Sequence, residues 1–424
     1  MHSAATPDPY GDNILIRQIN PIPSPAEALQ KLMYLPRIPK DVESIPSHVR
    51  THYLMDVLDL HIPSLIERSL LLSVDLMVRQ GYKSRDPLRA ETWAGLYGEN
   101  LHNTPLLPRA LGAAVEGVSG VGKTQGCLRS LHSLGPQTIV HEKFPRIAGS
   151  LMQVVWLSVE IPPSGKAADF ARSLMTAWDQ ATGGRRFDEW LAKDKIANGL
   201  RALDEWQQVA SAHFLGILHL DEVQNLFKLS SLERRAQRKR AQAQAPELAI
   251  VEDQVLRWLL SLSNTGQIPL LVSGTPDGIG ALSKRLSTLE RLNTCGFHAF
   301  QPISDPSEPD YFGSFLSTLA RYQYVAKPLV VNKDVECEII DLTGGIQRVI
   351  VALWIAAHRV AYERNTDTLE IQDFRKAAST WLAPLAPAIA ALKSQDPRAL
   401  SRYDDLMRLD SAFWVGFWSK MRSG

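Results

Sequence analysis

Residues 117–124 read GVSGVGKT, a glycine-framed loop that closes on Lys123 and Thr124. Gly117, Gly122, Lys123 and Thr124 stand at G-x-x-x-x-G-K-[ST] spacing. Such a loop works only when an apolar strand delivers it and a helix carries it away. Successive backbone N–H groups and the positive end of the helix must converge on one anion. The flanks comply: ALGAAVEG before the loop is a buried-strand pattern, and KTQGCLRSLHSL after it is helical. The loop therefore reads as a phosphate cradle, with Gly117, Val118, Ser119, Gly120, Val121, Gly122, Lys123, Thr124 and Gln125 around the anion. Lys123 supplies a point charge for the β and γ phosphates of ATP, and the Thr124 hydroxyl is expected to bind Mg²⁺.

A second motif narrows the chemistry. LGILHLDE, over 215–222, is an apolar strand ending in two acids. Asp221 is expected to serve the Mg²⁺ with Thr124, and Glu222 to orient or deprotonate an attacking water. A whole strand-helix unit, 152–182, separates the two motifs, the layout of ATPases with an added catalytic glutamate, the AAA+ proteins among them. IPLLVSGTP, over 268–276, ends in polar residues; Thr275, ahead of Ser273, is expected beside the γ-phosphate. FHAFQPI, 297–303, gives a fifth strand. The expected fold is α/β: an AAA+ P-loop ATPase with a five-stranded parallel sheet in the order 5-1-4-3-2 and a C-terminal all-helical lid.

Composition is consistent with several globular domains: 424 residues, 45% hydrophobic and 21% charged. The formal net charge of +1 means that any nucleic-acid surface must be local. Cys127, Cys295 and Cys337 follow no metal or disulfide spacing and read as reduced thiols. The N-terminal residues show no basic-then-apolar leader pattern. No run reaches the ~18 apolar residues of a membrane helix, so no membrane partner is expected. The expected organisation is a proline-rich arm (1–50), a helical extension (51–105), the AAA+ core (106–304), the lid (305–395) and a tail (396–424). Within the arm, SPAEALQKLMYL predicts one short helix with Ser24 as N-cap and Pro25 at its first position. No packed core element is expected there.

An AAA+ lid closes over base and ribose and usually offers an arginine to the γ-phosphate; Arg348, in LTGGIQRVI, is expected in that role. A second arginine is expected to reach a neighbouring subunit's phosphate, with Arg285 or Arg291 in LSKRLSTLERLN as candidates.

EGVSGVGKT, HLDEVQNL, IPLLVSGTPDGIGALS and LTGGIQRVI, in that order, resemble the TnsC/TniB family, AAA+ regulators of heteromeric bacterial transposons. DLMVRQGYKSRDP and PAIAALKSQDPRALSRYDDL resemble its TnsC branch, so that the likeness runs over roughly 50 to 410. The resemblance implies an ATP-dependent matchmaker in the bacterial cytoplasm. It would assemble as a homo-oligomeric ring or filament on double-stranded DNA, link a TniQ-type target-selection protein to the transposase, and disassemble on hydrolysis. It also implies DNA contacts from a pore loop, matched here by IPPSGKAADF with Ser164 and Lys166. A basic insert with Arg234, Arg235, Arg238, Lys239 and Arg240 is either a second DNA contact or a solvated loop. The aromatic tail DSAFWVGFW is either a partner hook or packing for its own lid. Replication initiators and clamp loaders share the ATPase motifs, and a stand-alone NTPase is the other alternative.

Overall fold

In the computed structural model the described residues are 8–97, 109–229, 248–264, 267–283, 293–306, 315–364, 366–394, 414, 417 and 418. The chain divides into two compact units that do not follow chain order. Met1–Lys31, Glu67–Gly117 and Lys123–Ala299 make the first; Leu32–Ile66, Val118–Gly122 and Phe300–Gly424 make the second.

The first unit is built on a sheet of five strands, β1 (Gly112–Glu116), β2 (Trp156–Glu160), β3 (Ile217–Asp221), β4 (Leu270–Gly274) and β5 (Phe297–Ala299). Their spatial order is β2-β3-β4-β1-β5, with every pairing parallel. Read from the other edge this is 5-1-4-3-2, the order expected from the motifs. Every residue of β3 and β4 is buried. Strands covered on both faces are mainly apolar, as these two are, with His219 of β3 and Ser273 of β4 as polar residues inside the run. Its helices include α1 (Leu65–Ser84), α2 (Lys123–His132), α3 (Ala167–Thr182), α4 (Gly199–Ala212), α5 (Asp253–Asn264) and α6 (Pro276–Ser283). In α3, Phe170, Leu174 and Trp178 recur at four-residue steps and are buried. The Trp178 ring meets Trp206 of α4 edge-on at 6.2 Å, and Trp206 meets Trp258 of α5 at 6.1 Å. Each ring hides a large apolar area, and the T-shaped geometry adds a modest quadrupole attraction.

Two expectations need correction. The apolar run at 152–161 is not one strand. Leu151–Val154 pairs antiparallel with Thr138–His141 in a separate hairpin, and only Trp156–Glu160 enters the main sheet. Val154, Val155 and Leu157 are all buried, so hydrophobicity gave no sign of the break between them. The proline-rich arm, for its part, is packed. Leu15, Ile16 and Ile19 are buried. Asn13 donates to the Tyr82 carbonyl at 3.0 Å, the Leu15 carbonyl accepts from Gln153 at 2.9 Å, and Arg79, paired with Asp75 at 2.9 Å, donates to the Asn20 carbonyl. Proline denies the arm regular structure but not burial. Some of its backbone carbonyls are satisfied by polar side chains of the unit, as at Leu15 and Asn20. The expected helix, Pro25–Leu32, is preceded by Ser24, whose N–H donates to Glu27 Oε2 at 2.7 Å, while the Glu27 N–H donates back to Ser24 Oγ at 3.3 Å.

The second unit is helical among its described residues: Ser47–Met55, α7 (Lys333–Thr343), α8 (Gln347–Glu363), α9 (Ile371–Thr380) and α10 (Ala386–Ser394). Helix α8 is buried on all sides from Val349 to Tyr362, which is why its sequence is apolar without a stripe. Its Arg359 lies 3.9 Å from the Trp381 ring centroid and 4.4 Å from that of Phe417, and donates to the Phe417 carbonyl. Trp414 and Phe417 are buried in the same core. Of the two readings of the aromatic tail, these residues take the second: they pack on their own helices. Among the described residues no single helix is long and apolar enough to cross a membrane.

Candidate active site

The carboxyl ends of β3, β4 and β1 lie side by side, because the register pairs Leu220 with Val272 and Glu116 with Gly274. In an open α/β sheet this edge is where ligands bind. Gly117, just past β1, donates to the Gly274 carbonyl at 3.3 Å. Lys123 and Thr124 begin α2, and Lys123 is 7% exposed.

The sheet brings the two motifs together. Thr124 Oγ1 donates to Asp221 Oδ2 at 2.6 Å across ninety-seven residues of sequence. The other oxygen of Asp221, Oδ1, accepts from the Glu222 amide at 3.0 Å and from the Ser273 hydroxyl. Burial pushes the Asp221 carboxyl up, but His219 and the hydrogen bonds from Ser273, Thr124 and Glu222 together hold it below the usual aspartate value. Glu222 is the reverse. Burial and the neighbouring Asp221 raise its pKa, partly countered by Lys123 and Gln224. Two adjacent acids are thus driven in opposite directions, one toward a fixed anion and the other toward a better base. Glu222 also adopts a left-handed backbone, φ 58°. That conformation is uncommon for a side chain with a Cβ and concentrates at functional positions.

Three side chains that the motifs did not single out, His219, Ser158 and Gln224, complete this cluster together with Ser273, which the motifs placed second to Thr275. His219 lies on β3 between Leu218 and Leu220 and is completely buried. Its Nδ1 is 2.8 Å from Ser158 Oγ on β2, and its Nε2 is 2.9 Å from Ser273 Oγ on β4. Burial lowers its pKa, with Asp221 pulling the other way. The signal in the sequence was a polar residue in an otherwise apolar strand. Ser273, not Thr275, touches Asp221. Thr275 instead heads α6: its hydroxyl accepts from Gly278 N at 3.4 Å, and its amide donates to Gln224 Oε1 at 3.1 Å. Gln224 also donates to the Glu222 carboxylate, so one amide side chain links Glu222 to the end of β4.

In the second unit, Val118–Gly122 packs on the start of α8. Arg348 Nη2 donates to Ser119 Oγ at 3.0 Å, and its amide donates to the Gly120 carbonyl at 3.1 Å. Gly120 (φ +87°) and Gly122 (φ +95°) need glycine twice over. Their φ is strained for other residues, and an added Cβ would come within 2.9 Å of Ile346 and Gln347 respectively.

Other candidates are placed differently. Gln125, on the outer side of α2, lines a cleft with Asn20, Lys31, Leu128, Arg129, His132 and Ser133. Ser164 donates to Asp169 at 2.6 Å and accepts weakly from the Lys166 amide at 3.4 Å, while Lys166 is exposed. Arg234, Arg235, Arg238, Lys239, Arg240, Arg285 and Arg291 lie outside the described residues.

The donor set fits a Mg²⁺-nucleotide. A hydroxyl and a low-pKa carboxylate touch at the head of the phosphate loop, and both are hard oxygen ligands of the kind Mg²⁺ takes. Among the described residues no cluster of three or more His, Cys, Asp or Glu forms a protein-only metal cage.

Residues 109–282 match the family model described as AAA domain. No curated protein matches the chain. Among solved structures, the chain is similar to the Aeropyrum pernix ORC1 protein in complex with DNA, at 13% identity and TM-score 0.40, covering 80% of this chain and 81% of that one. It is also similar to Drosophila ORC bound to DNA, at 16% identity and TM-score 0.35, covering 66% of this chain and 58% of that one. The family match and the sheet order agree: the first unit has the AAA+ fold of a nucleotide-binding ATPase.

Proposed function

We propose that the chain hydrolyses ATP to ADP and phosphate, and that hydrolysis times an assembly on double-stranded DNA. The observation that carries the ATPase reading is the Thr124–Asp221 contact at 2.6 Å with Glu222 beside it. The amides of 118–124 and Lys123 hold the β and γ phosphates. Thr124 and Asp221 are the residues that would hold Mg²⁺, which supplies charge neutralisation of the phosphates when bound. Glu222, raised in pKa by burial and Asp221, orients and deprotonates the water. Gln224 fixes the direction of its carboxylate. Arg348, seated on Ser119, is the residue assigned to report the γ-phosphate. Arg285 or Arg291 is assigned to the neighbouring subunit.

The biological setting rests on the resemblance of the motifs to TnsC/TniB proteins. On that reading the chain is a transposition regulator. It forms rings or filaments on target DNA, links a TniQ-type selection protein to the transposase, and comes apart after hydrolysis. Ser164, Lys166 and the basic residues Arg234, Arg235, Arg238, Lys239 and Arg240 are assigned to the DNA backbone.

The test is electron microscopy of the chain with duplex DNA and a non-hydrolysable ATP analogue, alongside ATPase assays. Rings or filaments on DNA are expected. With ATP itself, Glu222→Gln is expected to lower turnover by roughly 10²-fold or more and to stabilise the assembly, and Lys123→Ala to abolish both. A chain that turns over ATP as a monomer and ignores DNA overturns the regulator reading. Full hydrolysis by Glu222→Gln overturns the assignment of the base.

A further inference from the structure

Asp221 is positioned by more than its own strand. Its Oδ1 accepts from Ser273 on β4; Ser273 Oγ lies 2.9 Å from His219 Nε2; His219 Nδ1 lies 2.8 Å from Ser158 on β2. The chain of contacts crosses three adjacent strands. His219 and Ser273 are completely buried, so bulk water does not reach the contact between them, while Ser158 at the sheet edge is half-buried.

The direction of every proton follows from valence. An aspartate carboxylate only accepts, so the single hydroxyl proton of Ser273 points at Asp221. Ser273 Oγ must then accept from the ring, which puts the imidazole proton on Nε2. A neutral ring protonated at Nε2 has a bare Nδ1, which accepts the hydroxyl proton of Ser158. No other assignment satisfies all four groups with a neutral ring. We infer that Ser158, His219 and Ser273 form a one-way hydrogen-bond relay that orients Asp221 toward Thr124, with His219 held as the Nε2–H tautomer. All three are positioning residues. Groups that orient a metal-holding side chain are commonly worth as much to metal affinity as some of the ligands themselves. The inference rests on the proposed Mg²⁺-nucleotide role of Asp221 and deepens it. It makes Ser158, one strand beyond His219 at the sheet edge, a determinant of the metal requirement.

Two measurements test it. The first is nitrogen-15 NMR of the full chain labelled at histidine, with the His219 signals identified by their loss in His219→Gln. The wild type is expected to show the Nε2–H tautomer. Ser158→Ala is expected to lose that preference, and Ser158→Thr to restore it. The second is binding of a fluorescent adenine nucleotide as a function of Mg²⁺. Ser273→Ala and Ser158→Ala are expected to raise the half-saturating Mg²⁺ concentration, by roughly tenfold for the former, with binding in chelator unchanged. A serine-to-alanine change that merely loosened the sheet would lower the melting temperature without moving the Mg²⁺ midpoint. An Nδ1–H tautomer in the wild type overturns the relay. So do unchanged Mg²⁺ midpoints in both alanine variants when Asp221→Asn shifts its own. If Asp221→Asn leaves the Mg²⁺ dependence intact, the proposed metal role falls, and the relay's purpose with it.

Discussion

At the scale of single residues, the second unit buries a charge, Arg50, held by one carboxylate and one carbonyl. Arg50 is 4% exposed, donates to the Tyr324 carbonyl at 3.1 Å, and meets both oxygens of Asp367 at 2.8 and 2.7 Å. A fork of this kind is strong because two charge-assisted bonds share one fixed geometry. Removing one partner strands the other. Asp367→Ala leaves a buried guanidinium uncompensated and is expected to destabilise the unit by roughly 3 kcal/mol. Arg50→Met leaves only a half-exposed carboxylate and is expected to cost less, as denaturant melts of the two variants will show. Neither residue carried any mark in the sequence. They lie over three hundred positions apart, and no local pattern links them. Asp221 and Glu222 differ in this respect. Their position at the end of an apolar strand made them legible, although the opposite displacement of their two pKa values was not.

At the scale of elements, strands and helices were legible where one face or both faces met a core, and illegible where they changed partners. Helix α3 carries its apolar stripe openly. Segment 151–160 does not reveal that it serves two sheets, because both halves are equally buried. Helix ends are a further local matter. Asn332 precedes α7, and its Oδ1 accepts from the Val335 amide at 3.0 Å, while α7 ends in Gly344 with a left-handed backbone. Asn332→Ala removes that cap and is expected to cost about 1 kcal/mol, with Asn332→Ser restoring most of it. Hydrogen exchange localised to the first turn of α7 measures the effect.

At the scale of the whole molecule, the two units share a sensitivity to acid. Each buries one histidine whose pKa burial lowers to about 4: His298 in the first unit and His358 in the second. In the unfolded chain such a ring titrates near 6.5. Between those values the unfolded state binds the extra proton and the folded state does not. Stability is therefore full above about pH 6.5 and declines as pH falls toward 4. A displacement of this size corresponds to roughly 3 kcal/mol for the fully buried His358. Thermal melts from pH 7.5 to 4.5 are expected to show the loss in both units. His358→Gln is expected to flatten the pH dependence of the second unit alone, whatever it does to stability at neutral pH. A profile unchanged by that substitution removes His358 from the account.

The sequence by itself determined the chemistry that local geometry dictates. The glycine loop, the lysine-threonine pair and the acid-ended strand are each a few consecutive residues, so their spacing supports the proposed phosphate cradle and the AAA+ core before any folding is considered. The order of the five strands was expected from the layout shared by AAA+ ATPases, and the sheet has that order. Tertiary structure alone decided which hydroxyl meets Asp221. Ser273 and Thr275 are both polar residues near the end of one strand, but Ser273 lies within β4 and meets Asp221, whereas Thr275 lies past the strand's end and caps α6. It also decided that the proline-rich arm is packed, that Trp414 and Phe417 close their own helical core, and that Ser158 reaches Asp221 through His219. Each of these depends on contacts between residues far apart in the chain. Such contacts are set by which buried groups must share their hydrogen bonds once water is gone, and no local pattern of residues encodes that.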